Sequence, residues 1–333
     1  MLVEMAIGDA FGAGREFVQK PKRPAAWWND GKTYLKHPKF PQMPGCYTDD
    51  TQMAIAMAEF MLSGKLQTPR NLAHAFVNAF IRDPRQGYAP GFYNFLVTCS
   101  SKSDPAGYFL RHIQPGSNKA GGAMRAGPCG LLDDPEKAVD LAMWQASLTH
   151  ATWEGMAAAG ASALLVWACR NEPDTILAPL QFYFPQRQWD DPWFGWVGNE
   201  GIPAVHAAAT AVQEETTLTG ILKRCVEFGG DVDTVAAIAL SAAAWHPEID
   251  NDLDDALYHN LEGGDFGLGY LIVLDQKITA AYPMPDSIPI SVVKRAAKRT
   301  ASAAETAEEH KARKEAETQA EFDGILDVWG DIA

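Results

Sequence analysis

Two stretches of sequence, each placing acids directly ahead of a long apolar run, decide how this chain folds. Residues 45–57 read GCYTDDTQMAIAM, and residues 227–245 read EFGGDVDTVAAIALSAAAW. Alanine, the best helix former, recurs through both apolar runs, so each run predicts a buried helix that starts at its acids. Because the two starts combine Asp and Thr in the same way, they call for one common explanation.

The remaining segments predict an all-α fold. Alanine-rich stretches with helical periodicity occupy residues 68–83, 135–171 and 203–228, and no comparable series of alternating β-branched residues occurs. Thr68-Pro69 and Asp134-Pro135 are helix-start signals, since proline is tolerated in the first turn. The pattern favours a compact bundle of many helices over an α/β fold.

Composition excludes several classes of protein. The chain has 333 residues and 47% hydrophobic content, enough to bury a large core. A net charge of −14 argues against a protein whose main role is to neutralise nucleic-acid phosphates. Five scattered cysteines form no Cys-x-x-Cys pair, and the longest apolar run is shorter than a membrane span. We therefore expect a cytoplasmic protein that is neither exported nor embedded in a membrane.

The chain divides into a folded domain and a tail. Residues 1–290 form the expected folded domain, and residues 291–333 are a charged, apolar-poor tail, helical or flexible. Long loops rich in Pro, Trp and Gly occupy residues 20–45, 114–130 and 184–201. Because long aromatic loops in a compact domain are usually functional, these loops are expected to form the walls of a pocket.

The acids at the helix starts have two explanations. In the first, Thr48 or Asp49 is an N-cap and the acids interact with the positive end of the helix dipole. A cap needs only one acid, however, and Asp50 adds like-charge repulsion. In the second, Asp, Glu and Thr oxygens from both starts bind a hard divalent cation such as Mg²⁺ or Mn²⁺. Metal binding accounts for the clustered charge.

Five motifs in order resemble the ADP-ribosylglycohydrolase family, which includes arginine-specific hydrolases and dinitrogenase reductase-activating glycohydrolases. The motifs are GDAFGAGREF at 8–17, YTDDTQM at 47–53, GGAMRAGPCG at 121–130, LTHATWEG at 148–155 and GGDVDTVAAIA at 229–239. The resemblance implies a compact orthogonal multi-helix bundle of that family's type, in agreement with the helical pattern.

The resemblance also implies a binuclear metal site and a reaction. The positions that bind metal in that family match Glu16, Thr48, Asp49, Asp50, Asp231, Asp233 and Thr234 of this chain. Two cations there, Mg²⁺ or Mn²⁺, would hold the hydroxyls of the ribose next to the scissile bond. Breaking that bond requires stabilisation of an oxocarbenium-like state and a positioned water, so Glu16 or Asp49 is the expected acid/base or water-positioning group.

The glycine-rich loop supplies the expected substrate contacts. Backbone N–H groups at Gly121 and Gly122 could hold the pyrophosphate of ADP-ribose, and Lys119 could add a phosphate contact. His150 sits within a predicted helical stretch, as a substrate or core residue. Trp27 and Trp28, or the cluster WDDPWFGW at 189–196, could stack on adenine or simply pack. The full expected set is Ser117, Lys119, Gly121, Gly122, Ala123, Met124 and His150.

The resulting hypothesis is a metal-dependent glycosidase that removes ADP-ribose from modified protein side chains. The N-glycosidic bond to arginine is the expected linkage. An O-linked ADP-ribose on serine, nucleic acid or a small metabolite is the alternative within the same class. A catalytically silent ADP-ribose-binding module and a pyrophosphate-cleaving hydrolase are alternatives of other kinds.

Overall fold

Thirteen α-helices dominate the part of the chain that the computed structural model describes, residues 1–19, 28 and 31–285. In chain order they are α1 (Leu2–Ala13), α2 (Asp49–Leu62), α3 (Pro69–Arg82), α4 (Pro90–Ser100), α5 (Pro105–His112), α6 (Pro135–Ser147), α7 (Trp153–Asn171), α8 (Leu177–Tyr183), α9 (Gly201–Glu214), α10 (Leu218–Phe228), α11 (Val232–Ala243), α12 (Asp255–Asn260) and α13 (Leu268–Ala281). Within these ranges, extended residues meet only as isolated β-bridges. The prediction of an all-α multi-helix fold is confirmed.

The centre of the bundle is the contact between α1 and α11, both of which are buried along their whole length. Glycines make this contact close. A Cβ at Gly8 would lie 2.6 Å from the carbonyl oxygen of Ala236, and a Cβ at Gly12 would lie 2.3 Å from the Cα of Asp233. Since real side chains do not fit at such distances, Gly8 and Gly12 let the two backbones touch. This contact brings the end of α1 to the start of α11.

The helix-start signals are used as predicted. The Thr68 hydroxyl accepts a hydrogen bond from the Asn71 N–H, and the Asp134 carboxylate accepts one from the Glu136 N–H. The helical segment 135–171 is two helices, because Thr152 caps a new helix start by accepting from the Gly155 N–H. His150 therefore lies in the connection between α6 and α7, and the prediction that it sits within a helical stretch is wrong.

The predicted domain boundary, between residues 290 and 291, lies outside the described residues, which end at residue 285. The tail, residues 291–333, is outside the described residues, as is Trp27. In the described part of the chain, no helix is both long enough and apolar enough to cross a bilayer.

Candidate metal centre and substrate cleft

The acids at the two predicted helix starts come together in the core. Asp49 and Asp50 lie in the first turn of α2, and Asp233 lies in the first turn of α11 with Asp231 at its N-cap position. Glu16 lies on the turn that follows α1. The four aspartates are all buried. The close contact between Gly12 and Asp233 is what brings the end of α1 and the start of α11 into this cluster.

Neither acidic helix start is an ordinary cap. Thr48 is at the N-cap position of α2 and Asp231 at that of α11, yet neither side chain accepts a capping hydrogen bond. The Thr48 hydroxyl instead donates to Asp9 Oδ1 at 2.8 Å. The side-chain cap of the first explanation is therefore absent at both starts, although Asp49, Asp50 and Asp233 do lie in first turns, at the positive end of a helix dipole.

The acids form two groups that share one member. Asp9, Asp50 and Asp233 make the first group, and Glu16, Asp231 and Asp233 make the second. Within each group, one oxygen from every carboxylate lies within 4.8 Å of the others. Three convergent carboxylates suit a hard divalent cation, and two groups with a common aspartate suit neighbouring ions.

Two carboxylate oxygens in this cluster are buried without a partner. Asp50 Oδ1 and Asp233 Oδ1 accept no hydrogen bond, although each side chain is buried. An unsatisfied buried carboxylate oxygen is costly unless a cation or a donor compensates it. Because the two oxygens belong to the two helix starts and to one acid group, they fit a cation bound between α2 and α11.

Burial and mutual repulsion disfavour the charged form of these acids. Burial, followed by the charge of Glu16, raises the pKa of Asp231 to about 7. Burial raises the pKa of Asp50 well above its usual range, and the neighbouring Asp9 and Asp49 carboxylates add to this. Burial likewise raises the pKa of Asp233. A nearby divalent cation would reverse these effects, since it stabilises the carboxylate form.

Asp9 is the member of the cluster that sequence reasoning missed. It lies on α1, and its carboxylate accepts from the backbone and hydroxyl of Thr48 and from those of Thr51, at 2.7–3.1 Å. These bonds fix the first turn of α2 against α1. Within the quoted motif GDAFGAGREF, Asp9 is an acid in the middle of a buried apolar helix, and that position was the available signal.

Asp49 and Thr234 occupy other positions around the cluster. Asp49 belongs to neither acid group but lines the adjoining cavity. Its carboxylate packs on Gly87, where φ is +110° and a Cβ would lie 1.9 Å from Asp49 Oδ1. Thr234 lies in the first turn of α11, is buried and lines the same cavity.

A cavity of about 860 Å³ opens onto the acids. Five of the predicted substrate-binding residues line it, namely Ser117, Lys119, Gly121, Met124 and His150. Gly122 and Ala123 are buried and are not part of its wall. The volume is in the range of ligand-binding clefts.

Lys119 and His150 have defined partners at this cavity. The Lys119 ammonium donates to Asn199 Oδ1 at 2.8 Å and to Glu200 Oε1 at 2.7 Å, so it already neutralises an acid. Burial, followed by the charge of Arg125, lowers the pKa of His150 to about 3, and the ring is therefore neutral. Gly121 packs directly on this ring, since a Cβ there would lie 3.0 Å from His150 Cε1.

A short relay sets the tautomer of His150. Arg125 Nη2 donates to Thr149 Oγ1 at 2.8 Å, and that oxygen lies 2.7 Å from His150 Nδ1. A guanidinium can only donate, and among the described residues His150 Nδ1 is the acceptor within reach of the Thr149 hydroxyl, so the hydroxyl hydrogen is directed to Nδ1. The neutral ring then carries its proton on Nε2. His150 thus offers a hydrogen-bond donor rather than a positive charge.

The aromatic rings at the cavity differ from those expected. Trp28 packs edge-on against Phe11, and neither it nor any ring of the 189–196 cluster lines the cavity. Tyr88, Phe92 and Phe95 line it instead. Their signal was weak in the sequence, because they lie in and before α4, a helix with few alanines.

Comparison with known proteins identifies relatives of one kind. A sequence model of the family described as ADP-ribosylglycohydrolase matches residues 1–265. ADP-ribosylhydrolase ARH3 of Bos taurus is 32% identical over 130 residues, which cover 36% of this chain and 34% of that protein. The Homo sapiens protein of the same name is 32% identical over 129 residues, with the same coverage. The matched region spans about a third of these curated relatives.

A solved structure shares the fold. The structure titled "ADP-ribosylglycohydrolase-related protein complex" superposes with a TM-score of 0.62 at 22% sequence identity, and the alignment covers 85% of this chain and 95% of that one.

Proposed function

We propose that this chain, which belongs to the ADP-ribosylglycohydrolase family, catalyses the metal-dependent hydrolysis of the bond that joins ADP-ribose to a modified protein side chain. The products are ADP-ribose and the unmodified side chain. The expected linkage is the N-glycosidic bond to arginine.

One observation carries the metal part of the proposal, the pair of unpartnered oxygens Asp50 Oδ1 and Asp233 Oδ1 beside the 860 Å³ cavity. Two acid groups that share Asp233 support a pair of ions, with Mg²⁺ and Mn²⁺ the cations that such ligands prefer. The proposed ligands are Glu16, Thr48, Asp49, Asp50, Asp231, Asp233 and Thr234, to which the geometry adds Asp9. When bound, such cations orient ligand oxygens and lower the pKa of water.

The acids facing the cavity have different environments, which suits different tasks. Burial, followed by the charge of Asp9, raises the pKa of Asp49 well above its usual range. The two roles proposed for Asp49 exclude each other, because a bound cation would stabilise its carboxylate form. As the acid, Asp49 would stand outside the two acid groups and donate its proton to the departing nitrogen or oxygen. Glu16 is partly exposed at the cavity and suits the positioning of a water molecule or stabilisation of positive charge at the anomeric carbon. We assign acid/base work to these two residues.

The remaining cavity wall supports binding of the rest of ADP-ribose. His150 offers its Nε2–H to a phosphate or hydroxyl oxygen, and the loop from Ser117 to Met124 lies beside it. Tyr88, Phe92 and Phe95 supply aromatic faces on which a purine can stack. The Glu200 partner of Lys119 makes that lysine a structural contact more than a phosphate ligand.

One observation favours the second candidate, an O-linked ADP-ribose. Lys39 lines the cavity with Glu16 and Asp231, and its ammonium lies 4.7 Å from the Phe17 ring centroid. A positive charge at this place would repel a cationic guanidinium and would leave a neutral serine hydroxyl unaffected. Replacing Lys39 with Met should therefore favour arginine-linked over serine-linked substrate.

The test is identification of products by mass spectrometry. Peptides ADP-ribosylated on arginine or on serine are incubated with the chain in Mg²⁺, in Mn²⁺ and in excess chelator. Free ADP-ribose that appears only with metal supports the proposal, and the faster peptide identifies the linkage. AMP with ribose phosphate would identify a pyrophosphatase instead, and tight binding without products would identify a silent binding module.

A further inference from the structure

We propose that His37 is a positioning residue that holds the Glu16 carboxylate beside Asp231 and Asp233. No second histidine stands at ligand spacing from His37, so the sequence alone gives this residue no role. The inference rests on the proposed function in one respect, that the acid group of Glu16, Asp231 and Asp233 binds a cation.

The hydrogen bonds of His37 fix which ring nitrogen faces Glu16. The backbone N–H groups of Lys39 and Phe40 both point at His37 Nδ1, at 2.9 and 3.0 Å. A nitrogen that accepts two hydrogen bonds carries no proton, so the ring proton is on Nε2. Nε2 lies 3.2 Å from Glu16 Oε2, and His37 therefore donates to the carboxylate.

The loop that carries His37 is tied closely to the turn that follows α1. A Cβ at Gly14 would lie 2.5 Å from the Leu35 carbonyl oxygen, so the two backbones touch. Arg15 Nη2 donates to the Thr33 carbonyl at 3.2 Å. The imidazole is nearly inaccessible, with 1% of its side-chain surface exposed, and packs against the Phe40 ring with the centroids 4.6 Å apart and the planes tilted by 41°. A donor held this firmly can impose a direction on its acceptor.

Glu16 needs such a restraint. Its carboxylate lies within 4.8 Å of those of Asp231 and Asp233, and like charges at that distance repel. The backbone next to it is fixed, because the Phe17 N–H donates to the Gly230 carbonyl at 2.8 Å. That bond leaves the Glu16 side-chain torsions free. His37 binds one of the two carboxylate oxygens and so keeps the group turned toward the acids.

Two substitutions separate positioning from loop support. In His37→Gln the side-chain amide reaches the place of Nε2, so the donor to Glu16 is kept and the acceptor for the loop is lost. In His37→Asn the shorter amide replaces Nδ1, so the loop acceptor is kept and the donor to Glu16 is lost. We expect Mn²⁺ affinity, titrated on the metal-stripped full chain, to fall about 10–100-fold in His37→Asn. In His37→Gln the affinity should stay near the wild-type value. Thermal stability should show the reverse, with His37→Gln, which loses the loop acceptor, less stable than His37→Asn.

A metal-independent readout accompanies this titration. In chelator, ¹⁵N-histidine NMR of the full chain should show His37 protonated on Nε2 only, with a signal that shifts in Glu16→Ala. An Nδ1-protonated ring, wild-type affinity in His37→Asn, or equal loss in both variants would overturn the proposal. If the wild-type chain did not bind Mn²⁺, the proposed function would be overturned as well. That result is distinguishable from the three above, because in each of those the wild-type chain still binds Mn²⁺.

Discussion

Replacing Asp233 with Asn should separate the stability of the metal-free chain from its response to metal. Asp233 belongs to both acid groups, and its Oδ1 has no hydrogen-bond partner. Burial, followed by the charges of Glu16 and Asp231, raises its pKa, so this carboxyl destabilises the metal-free fold when ionised. An amide of the same shape removes that repulsion. The melting temperature without metal should therefore be at or above that of the wild type.

The response to metal should show the reverse. At a Mn²⁺ concentration about 100 times the dissociation constant, binding to the native state adds about 2.7 kcal/mol to the free energy of unfolding. For a domain of about 290 residues, with an unfolding entropy of about 0.6 kcal/mol/K, that corresponds to a rise in Tm of about 4 °C. A loss of affinity of about 100-fold would leave about 0.4 kcal/mol, a rise of about 1 °C.

Differential scanning fluorimetry with Mn²⁺ and with chelator measures both quantities. Asp140→Asn is the matched control, because Asp140 is an exposed acid on α6 and its loss should leave the Mn²⁺ shift unchanged. If Asp233→Asn kept the wild-type shift, Asp233 would not be a ligand and the shared-carboxylate account would be wrong.

Three further predictions concern the elements around the site. Gly230→Ala should lower the urea midpoint of unfolding far more than Gly264→Ala. Both glycines have φ of +94°, which strains alanine by about 1 kcal/mol or more. Only at Gly230, however, would the added Cβ clash with backbone, at 1.8 Å from the Val197 carbonyl oxygen. Thr149→Val should weaken ADP-ribose binding about fivefold by calorimetry, because a net hydrogen bond is worth about 1 kcal/mol. Thr149→Ser should bind normally, and equal affinities of the two variants would refute the relay. Burial lowers the pKa of His150 to about 3, so the ring stays neutral in the native state, whereas in the unfolded chain it takes up a proton below about pH 6.5. Between pH 7 and 5 in chelator, the wild type should therefore lose about 2 kcal/mol more of its free energy of unfolding than His150→Gln. Parallel pH profiles of the two proteins would contradict this.

The helical fold was readable from local signals. Alanine-rich segments and the caps at Thr68 and Asp134 act within one turn, so their effect is visible in the sequence. The break at Thr152 was missed because the alanine pattern continues across it. Helices α4 and α5 were also missed, since aromatic residues replace alanine there. Helix α5 nevertheless has a local start signal, because the Asp104 carboxylate accepts from the Gly107 N–H and Pro105 stands in the first turn.

The site was predictable only as far as its residues lie in motifs. The acids of α2 and α11 were evident because two helix starts repeat one composition. That Gly12 brings α1 onto Asp233 is a contact between distant parts of the chain, and no local pattern reports it. The same holds for Lys119, whose predicted phosphate role competes with Glu200, a partner in another loop. Asp9 and His37 act through neighbours from other segments, and spacing alone cannot show this.

The central claim is that the acids at the two helix starts bind divalent cations, and anomalous X-ray scattering from Mn²⁺-soaked crystals tests it most directly. The account predicts anomalous density within bonding distance of Asp50 Oδ1 and Asp233 Oδ1, which the same crystals lose in chelator. A fully ordered site without anomalous density at these oxygens would contradict it.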